Sequence, residues 1–186
     1  MSEGALEDLN VLDLSQGLAG SYCTKWFADL GATVINIEPP ERGDALRSLG
    51  PFKDDTPNIE TSVPHLFLNS GKKSITLALN SRSGRERLLR LVHGADVLVD
   101  DSRPVAMDEL GLGYAELSAA NSGLIYETIS PFGLTGPYCD YPATALTISA
   151  FSGSLSPRAI AGRQPVNMGC HQGMYCAFQY QRFHWC

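Results

Sequence analysis

The chain of 186 residues carries 14 basic and 20 acidic side chains, giving a formal net charge of −6 at pH 7, and 44% of its residues are hydrophobic. This length suggests one domain or one and a half, and the composition is typical of a soluble globular protein rather than a disordered or membrane-spanning one. The acidic balance argues against nucleic acid as the main partner.

The first half of the chain alternates between short apolar runs and helical patterns. NVLDLS at 10–15 predicts a strand, and TVINIE at 33–38 predicts a second one, which ends at two prolines that cannot continue a sheet. Between them, SYCTKWFADL at 21–30 carries apolar residues at i, i+4 and i+8 and stops at Gly31, a pattern that predicts a helix near 20–30.

The second half continues this alternation after a polar loop rich in Gly, Pro and Asp. The sequence predicts strands at 73–79, 96–100 and 124–130, helices near 82–93 and 144–152, and a helix with a Gly-rich interruption over 107–121. Strands and helices at this spacing indicate βαβ units. The predicted fold is therefore α/β, a doubly wound, mostly parallel sheet with helices on both faces.

In such folds ligands bind at the carboxyl ends of the strands, so the loops after each strand are the candidate site. These loops are rich in Gly, Ser and Arg: SQGLAGS (15–21), EPPERGD (38–44), NSRSG (80–84), DDSRP (100–104) and SPFGLTGP (130–137). Neither GxGxxG nor a Walker pattern is present. The loops predict a phosphate-bearing organic ligand that Arg42, Arg47, Arg82 and Arg103 could neutralise, or alternatively glycines that only form turns.

Three blocks of the sequence resemble one known family. LNVLDLSQGLAGSYCTKWFADLGATVINIEPPERGDALR (9–47), FLNSGKKSITLALNSRSGRERLLRLVHGADVLVDDSRP (67–104) and MDELGLGYAELSAANSGLIYETISPFGLTGPYCDYP (107–142) resemble family III CoA-transferases, in the family's order and spacing. The resemblance implies a Rossmann-like CoA-binding domain over 1–165, followed at 166–186 by the start of a helical segment. It corresponds to the N-terminal half of a family member only.

The resemblance also implies an activity. Members of this family transfer CoA between an acyl-CoA and a small carboxylic acid: an Asp attacks the thioester, which forms an anhydride and then an aspartyl-CoA thioester. In a racemase branch of the same family, an Asp and a His instead move the proton next to the thioester. The implied partners are acyl-CoA and a small acid, together with a second copy of the chain or a complementing C-terminal half.

The family's nucleophile is not found where the resemblance places it. Matching GPY at 136–138 and SG at 152–153 puts the family's Asp on Ala145. Asp140 is a weak stand-in, because it lies five residues earlier and a small misplacement of a reacting group is costly. We expect Asp140 to be a turn residue whose side chain bonds nearby amides.

The resemblance assigns the CoA contacts residue by residue. They fall on the loops and strand ends already named: Leu18, Ala19, Pro39, Arg47, Leu77, Ala78, Leu79, Asn80, Asp101, Ser102, Arg103, Pro131, Phe132 and Gly133. For Leu77 and Leu79, burial in the core of a strand is the alternative. Relatives can carry a positive charge where this chain has Pro39, Asn80 and Glu109, so the resemblance implies weakened CoA binding.

The cysteines and the end of the chain complete the predictions. Five scattered cysteines (Cys23, Cys139, Cys170, Cys176 and Cys186) and an acidic N-terminus without a signal-peptide pattern favour a cytoplasmic protein with reduced thiols. The spacings of Cys170, His171, Cys176, His184 and Cys186 match no ordinary zinc site, so no metal is predicted. Three hypotheses remain: a CoA-transferase, a non-catalytic CoA-thioester-binding protein, and a fragment or half of a split enzyme.

Overall fold

The computed structural model describes residues 4–103, 105–155 and 163. The chain divides into two compact units, Met1–Ser130 and Pro131–Cys186. None of the helices in the described ranges combines the length and the apolar character needed to cross a bilayer.

The described residues of the first unit form five strands and five α-helices. The strands are β1 (Asn10–Asp13), β2 (Thr33–Glu38), β3 (Lys73–Thr76), β4 (Val97–Asp100) and β5 (Ile125–Thr128). The helices are α1 (Leu18–Asp29), α2 (Val63–Leu68), α3 (Arg82–Val92), α4 (Ala106–Glu109) and α5 (Tyr114–Ala120), with 3-10 turns at Ala45–Ser48 and Lys53–Asp55.

All five strands are parallel, in the order β3-β2-β1-β4-β5. Val11 in β1 lies opposite Val34 in β2 and Val97 in β4, so the strand order reverses between β1 and β4. Helix α1 packs against α2, and α3 packs against α5. Because parallel crossovers are right-handed, the two helix pairs lie on opposite faces of the sheet. The predicted doubly wound α/β fold is confirmed.

Helix α2 and the early end of β3 differ from the predictions. Helix α2 lies in the segment expected to be a polar loop, and its six residues are too few for an apolar period to be visible in the sequence. It begins because Ser62 accepts a hydrogen bond from the amide of His65 at 3.3 Å. Strand β3 ends at Thr76, three residues before the predicted Leu79, and the predicted helix 107–121 is two helices, α4 and α5, divided at its glycines.

The main core lies between the sheet and helices α3 and α5. Leu98 in β4, Leu88 in α3 and Leu117 in α5 are fully buried in the same cluster. Burial of a leucine side chain contributes about 1.5–3 kcal/mol, so these leucines stabilise the packing of the α3/α5 pair on the sheet.

A buried ion pair connects β1 with the segment before β3. Lys72 Nζ donates to Asp13 Oδ2 at 2.9 Å, and these two side chains are 1% and 0% exposed. Three further oxygens surround the same ammonium group and share its remaining hydrogens: Thr24 Oγ1 at 2.7 Å, Asn69 Oδ1 at 2.8 Å and the carbonyl oxygen of Ser21 at 3.0 Å. The ammonium therefore holds β1, α1 and the loop after α2 together.

The second unit is described as far as residue 155, with residue 163. Its helix α6 (Ala145–Phe151) begins at a capping box, in which Thr144 and Thr147 exchange side-chain and backbone hydrogen bonds. Aromatic rings in this unit meet edge to face, with 5.2 Å between the centroids of Phe132 and Phe151 and 5.3 Å between those of Tyr138 and Tyr141.

We expect Gly20→Ala to destabilise the protein by about 1–3 kcal/mol, because a methyl group there overpacks a filled site. A Cβ at Gly20 would lie 2.2 Å from Ser15 Cβ, where the first turn of α1 passes over the end of β1. Urea unfolding measures the loss. Gly94→Ala is the matched control, since a Cβ there has no heavy atom closer than 3.9 Å. Equal effects of the two substitutions would contradict this close packing.

Candidate functional site

A cleft of about 550 Å³ opens at the carboxyl ends of β1, β2, β3 and β4. Its lining comes from all four strand ends and from α4: Leu14, Gln16, Ile37, Pro39, Pro40, Glu41, Arg42, Leu77, Ala78, Leu79, Asn80, Asp100, Ser102, Ala106, Met107 and Leu110. A cleft outside the strand ends, at the reversal of strand order, is where open α/β sheets bind ligands. Its volume is within the range of small-molecule sites.

The cleft combines apolar side chains with a polar rim. Leu14, Ile37 and Leu77 among its lining residues are buried members of the main core. The polar groups include Asn80 and Ser102, and the ionisable ones are Glu41, Arg42 and Asp100. This arrangement can hold a flat apolar ring system while polar groups at the rim meet the attached polar substituents.

Asp101 fixes the loop between β1 and α1. Its carboxylate accepts hydrogen bonds from the amides of Gln16 at 2.7 Å and Gly17 at 2.8 Å. Burial nevertheless raises the pKa of the Asp101 carboxyl to about 6, against the two amides that favour its charged form. Asp101 therefore ties the end of β4 to the start of α1 at the reversal of strand order.

We expect the Asp101 carboxyl to titrate near pH 6, as measured by the chemical shift of its carboxyl carbon. Its pKa in the folded protein is above the ordinary 3.8, so the folded state holds this proton more tightly than the unfolded chain does. The stability contributed by this proton is fully present below about pH 4 and is lost as the pH rises through 6. Relative to Asp101→Asn, the unmodified protein should thus lose stability over that interval. A midpoint at or below pH 4 would contradict the assignment.

Asp100 organises the loop between β4 and α4. Its carboxylate accepts hydrogen bonds from Ser102, at 3.0 Å from the amide and 2.9 Å from the hydroxyl, and from the Tyr126 hydroxyl at 3.3 Å. Burial raises the pKa of the Asp100 carboxyl, and burial together with the Asp100 charge raises the pKa of Tyr126 to about 12. Three donors therefore hold this carboxylate in place at the edge of the cleft.

Arg47 is engaged in an ion pair beside the cleft. Its Nε lies 2.6 Å from Glu38 Oε2 and its Nη2 lies 2.8 Å from Glu38 Oε1, while Nη1 donates to Glu60 at 3.1 Å. The hydrogen bonds from Arg47 lower the pKa of Glu38 to about 2. Arg47 does not line the cleft. Its predicted contact with CoA stays a prediction, and such a contact would compete with these carboxylates.

Arg103 is likewise paired with a carboxylate. Its Nη2 contacts Glu109 Oε2, and the two side chains are 66% and 54% exposed. An exposed pair of this kind contributes little to stability, so Arg103 can exchange partners more readily than Arg47 can. Glu109 thus offsets the charge of Arg103.

The cleft contains six of the predicted contact residues: Pro39, Leu77, Ala78, Leu79, Asn80 and Ser102. Leu18 and Ala19 lie in the first turn of α1, outside the cleft lining, and Pro131, Phe132 and Gly133 lie in the second unit. Ten further lining residues were not among the predicted contacts: Leu14, Gln16, Ile37, Pro40, Glu41, Arg42, Asp100, Ala106, Met107 and Leu110. For the last three, the sequence held no signal, because the four residues of α4 are too few for an apolar period to be visible.

Ala145 and Asp140 belong to the second unit. Ala145 is the first residue of α6, and its methyl group is partly buried. Asp140 lies in the turn expected for it and is exposed. Within the described residues the Asp140 side chain accepts no hydrogen bond, so the expectation that its carboxylate bonds nearby amides is wrong there. The turn closes instead through backbone hydrogen bonds to the carbonyls of Gly136 and Tyr138.

The described residues contain no group of three or more His, Cys, Asp and Glu side chains that could hold a metal ion. Cys23 and Cys139 are free thiols. The cysteines and histidines considered for zinc, and all of 166–186, lie outside the described residues.

Comparison with protein families finds one match over most of the chain. The model of CoA-transferase family III matches residues 6–178. A subunit of succinyl-CoA:(R)-benzylsuccinate CoA-transferase from Thauera aromatica is 42% identical over 170 residues, which cover 91% of this chain and 41% of that protein. Acetyl-CoA:oxalate CoA-transferase from Acetobacter aceti is 40% identical over 167 residues, covering 90% of this chain and 42% of that protein.

Solved structures match over a similar extent. A crystal structure of a CaiB/BaiF family protein from Brucella suis superposes with a TM-score of 0.86 at 32% identity, over 96% of this chain and 47% of that one. The chain therefore spans about two fifths of the length of these curated relatives and nearly half of that structure.

Proposed function

Because the chain belongs to CoA-transferase family III, we propose that it binds CoA and CoA thioesters in the cleft at the ends of β1 to β4, and that it forms no covalent intermediate of its own. The cleft is the observation that carries the proposal. It has an apolar interior for an adenine ring, a polar rim for ribose and phosphates, and six residues that the family resemblance assigns to CoA.

The lack of a covalent step rests on Ala145. CoA transfer by the family's route needs a carboxylate that attacks the thioester carbonyl and takes up the acyl group as an anhydride. A methyl group has no electron pair to donate, and Asp140 is an exposed carboxylate with no hydrogen bond to orient it among the described residues. Both facts support a CoA-binding chain over a complete transferase, and the absence of an Asp or Glu at residue 145 disfavours the racemase chemistry as well.

A second function, CoA transfer in an assembly, is favoured by the surface of α1 and α2. Trp26, Leu66 and Phe67 expose 54%, 47% and 56% of their surface there, and Lys25 Nζ lies 5.1 Å from the centre of the Phe67 ring. Exposed apolar side chains that lie together indicate a contact surface. A relative is named as a subunit. A complementing C-terminal half or a second copy of the chain would cover this surface in a cytoplasmic assembly that acts on an acyl-CoA and a small carboxylic acid.

Isothermal titration with CoA tests the proposal. We expect saturable binding of one CoA per chain, weakened by added salt because the ligand's phosphates are charged. Pantetheine, which lacks the nucleotide, is the control ligand and should bind far more weakly. Equal heats for CoA and pantetheine, or none for CoA at millimolar concentration, would contradict a nucleotide-binding cleft.

A further inference from the structure

One arginine at the cleft is not held by a carboxylate. Among the described residues, Arg42 forms no ion pair, and it is exposed and lines the cleft. The other arginines considered as anion partners are paired with carboxylates: Arg47 with Glu38 and Glu60, Arg82 with Glu86, and Arg103 with Glu109. We propose that Arg42 binds a phosphate group at the nucleotide end of CoA and thereby makes the site specific for ligands that carry this phosphate. This inference rests on the proposed CoA site.

The backbone around Arg42 is in a defined conformation. The amide of Arg42 donates to the carbonyl of Pro40 at 2.9 Å, and the amide of Gly43 donates to the carbonyl of Pro39 at 3.2 Å. These turns fix the origin of the Arg42 side chain at the end of β2, beside the cleft. A guanidinium group matches a phosphate by donating two parallel hydrogen bonds, and it loses little by leaving water at an exposed rim.

The polar groups that share the rim support the same assignment. Asn80, which follows β3, lines the same cleft and can donate to phosphate or ribose oxygens. Ser102 donates both its amide and its hydroxyl to Asp100, whereas the side chains of Asn80 and Arg42 form no hydrogen bond among the described residues. Arg42 is the charged one of the two.

Glu41 opposes this role from the adjacent position. Its exposed carboxylate also lines the cleft, so it repels the phosphate that Arg42 attracts. Its φ of 73° places a non-glycine residue in the left-handed region. Glu41 and Arg42 thus place opposite charges at the mouth of the cleft. Removing the charge of Glu41 should raise the affinity for CoA, and removing the charge of Arg42 should lower it.

The test is calorimetric titration of the full chain with CoA, dephospho-CoA and adenosine. We expect Arg42→Ala to weaken CoA binding about tenfold, the value of a hydrogen-bonded charge pair, and Arg42→Lys to recover part of that loss. Adenosine should bind Arg42→Ala and the unmodified protein equally. Arg87→Ala is the control for the loss of a positive charge, since Arg87 is exposed on α3, forms no ion pair among the described residues and does not line the cleft.

Glu41→Gln should change the affinity for CoA in the opposite direction from Arg42→Ala. We expect it to strengthen CoA binding about two- to fivefold, in line with the modest value of exposed charge pairs. The ligand series identifies the phosphate: a loss with CoA but not with dephospho-CoA assigns Arg42 to the 3′-phosphate, and an equal loss with both assigns it to the diphosphate.

The outcomes separate this inference from the proposed function. If the unmodified chain binds CoA and Arg42→Ala binds it as well as Arg87→Ala does, the role of Arg42 is refuted while the CoA site stands. If the unmodified chain binds no CoA, the proposed function fails and takes this inference with it.

Discussion

Replacing Lys72 with methionine should cost about 3–5 kcal/mol of folding stability, the typical cost of removing one partner from a buried ion pair. The substitution leaves the Asp13 carboxylate 0% exposed and without its cation. Hydrogen bonds from Ser15 and Thr24 to Asp13 remain, but neither partner carries a charge. Since proteins of this size are stable by only about 5–15 kcal/mol, urea unfolding should show a large shift of the midpoint.

The neighbouring lysine provides the control for this substitution. Lys73 is exposed at the start of β3 and forms no ion pair within the described ranges. Lys73→Met should change the free energy of unfolding by no more than about 0.5 kcal/mol, as is usual for surface positions. If Lys72→Met and Lys73→Met lower stability by the same amount, the buried pair is not what holds β1 and the segment before β3 together.

Replacing Ala106 with phenylalanine should weaken CoA binding by at least about tenfold, or about 1.4 kcal/mol, because the larger side chain narrows the cleft. Ala106 is the first residue of α4, is partly buried and lines the cleft. A phenyl ring there would occupy the space proposed for the ligand. Titration calorimetry with CoA measures the loss.

Ala119→Phe is the matched control for this substitution. Ala119 is exposed on α5 and does not line the cleft, so the same change of side chain should leave CoA affinity unaltered. Thermal unfolding of both variants confirms that they remain folded. Retention of full affinity by Ala106→Phe would place the CoA site elsewhere.

The fold was predictable because the apolar runs of its three central strands, β1, β2 and β4, are largely buried. All four residues of β4, Val97 to Asp100, are buried. This matches the apolar centre of DVLVD, as expected of a central strand in a parallel sheet. Helix α2 was missed because it is held by Ser62 and not by a periodic pattern. The Ser62 hydroxyl oxygen lies 2.7 Å from the carbonyl oxygen of Leu46 and 2.6 Å from that of Leu49, either of which can accept its one hydrogen. Such a contact joins residues 13 to 16 positions apart and leaves no local signal.

Part of the candidate site was also predictable from the sequence. The rule that ligands bind at strand ends located Asn80 and Ser102, and the family resemblance located Leu77, Ala78 and Leu79, all of which line the cleft. The partner of each arginine could not be predicted, because ion pairing depends on three-dimensional proximity. Arg47 faces Glu38, nine residues away, and this distinguishes it from Arg42, which the sequence presented as an equivalent loop arginine.

The central claim is that the chain binds CoA but forms no covalent bond with it, and mass spectrometry of the protein after incubation with an acyl-CoA tests both parts. Under native conditions we expect a complex of one chain and one ligand. Under denaturing conditions we expect the bare chain, because Ala145 offers no nucleophile. An adduct with the mass of CoA less one water that survives denaturation and is removed by hydroxylamine would show an aspartyl thioester and contradict the account, as would the absence of any native complex.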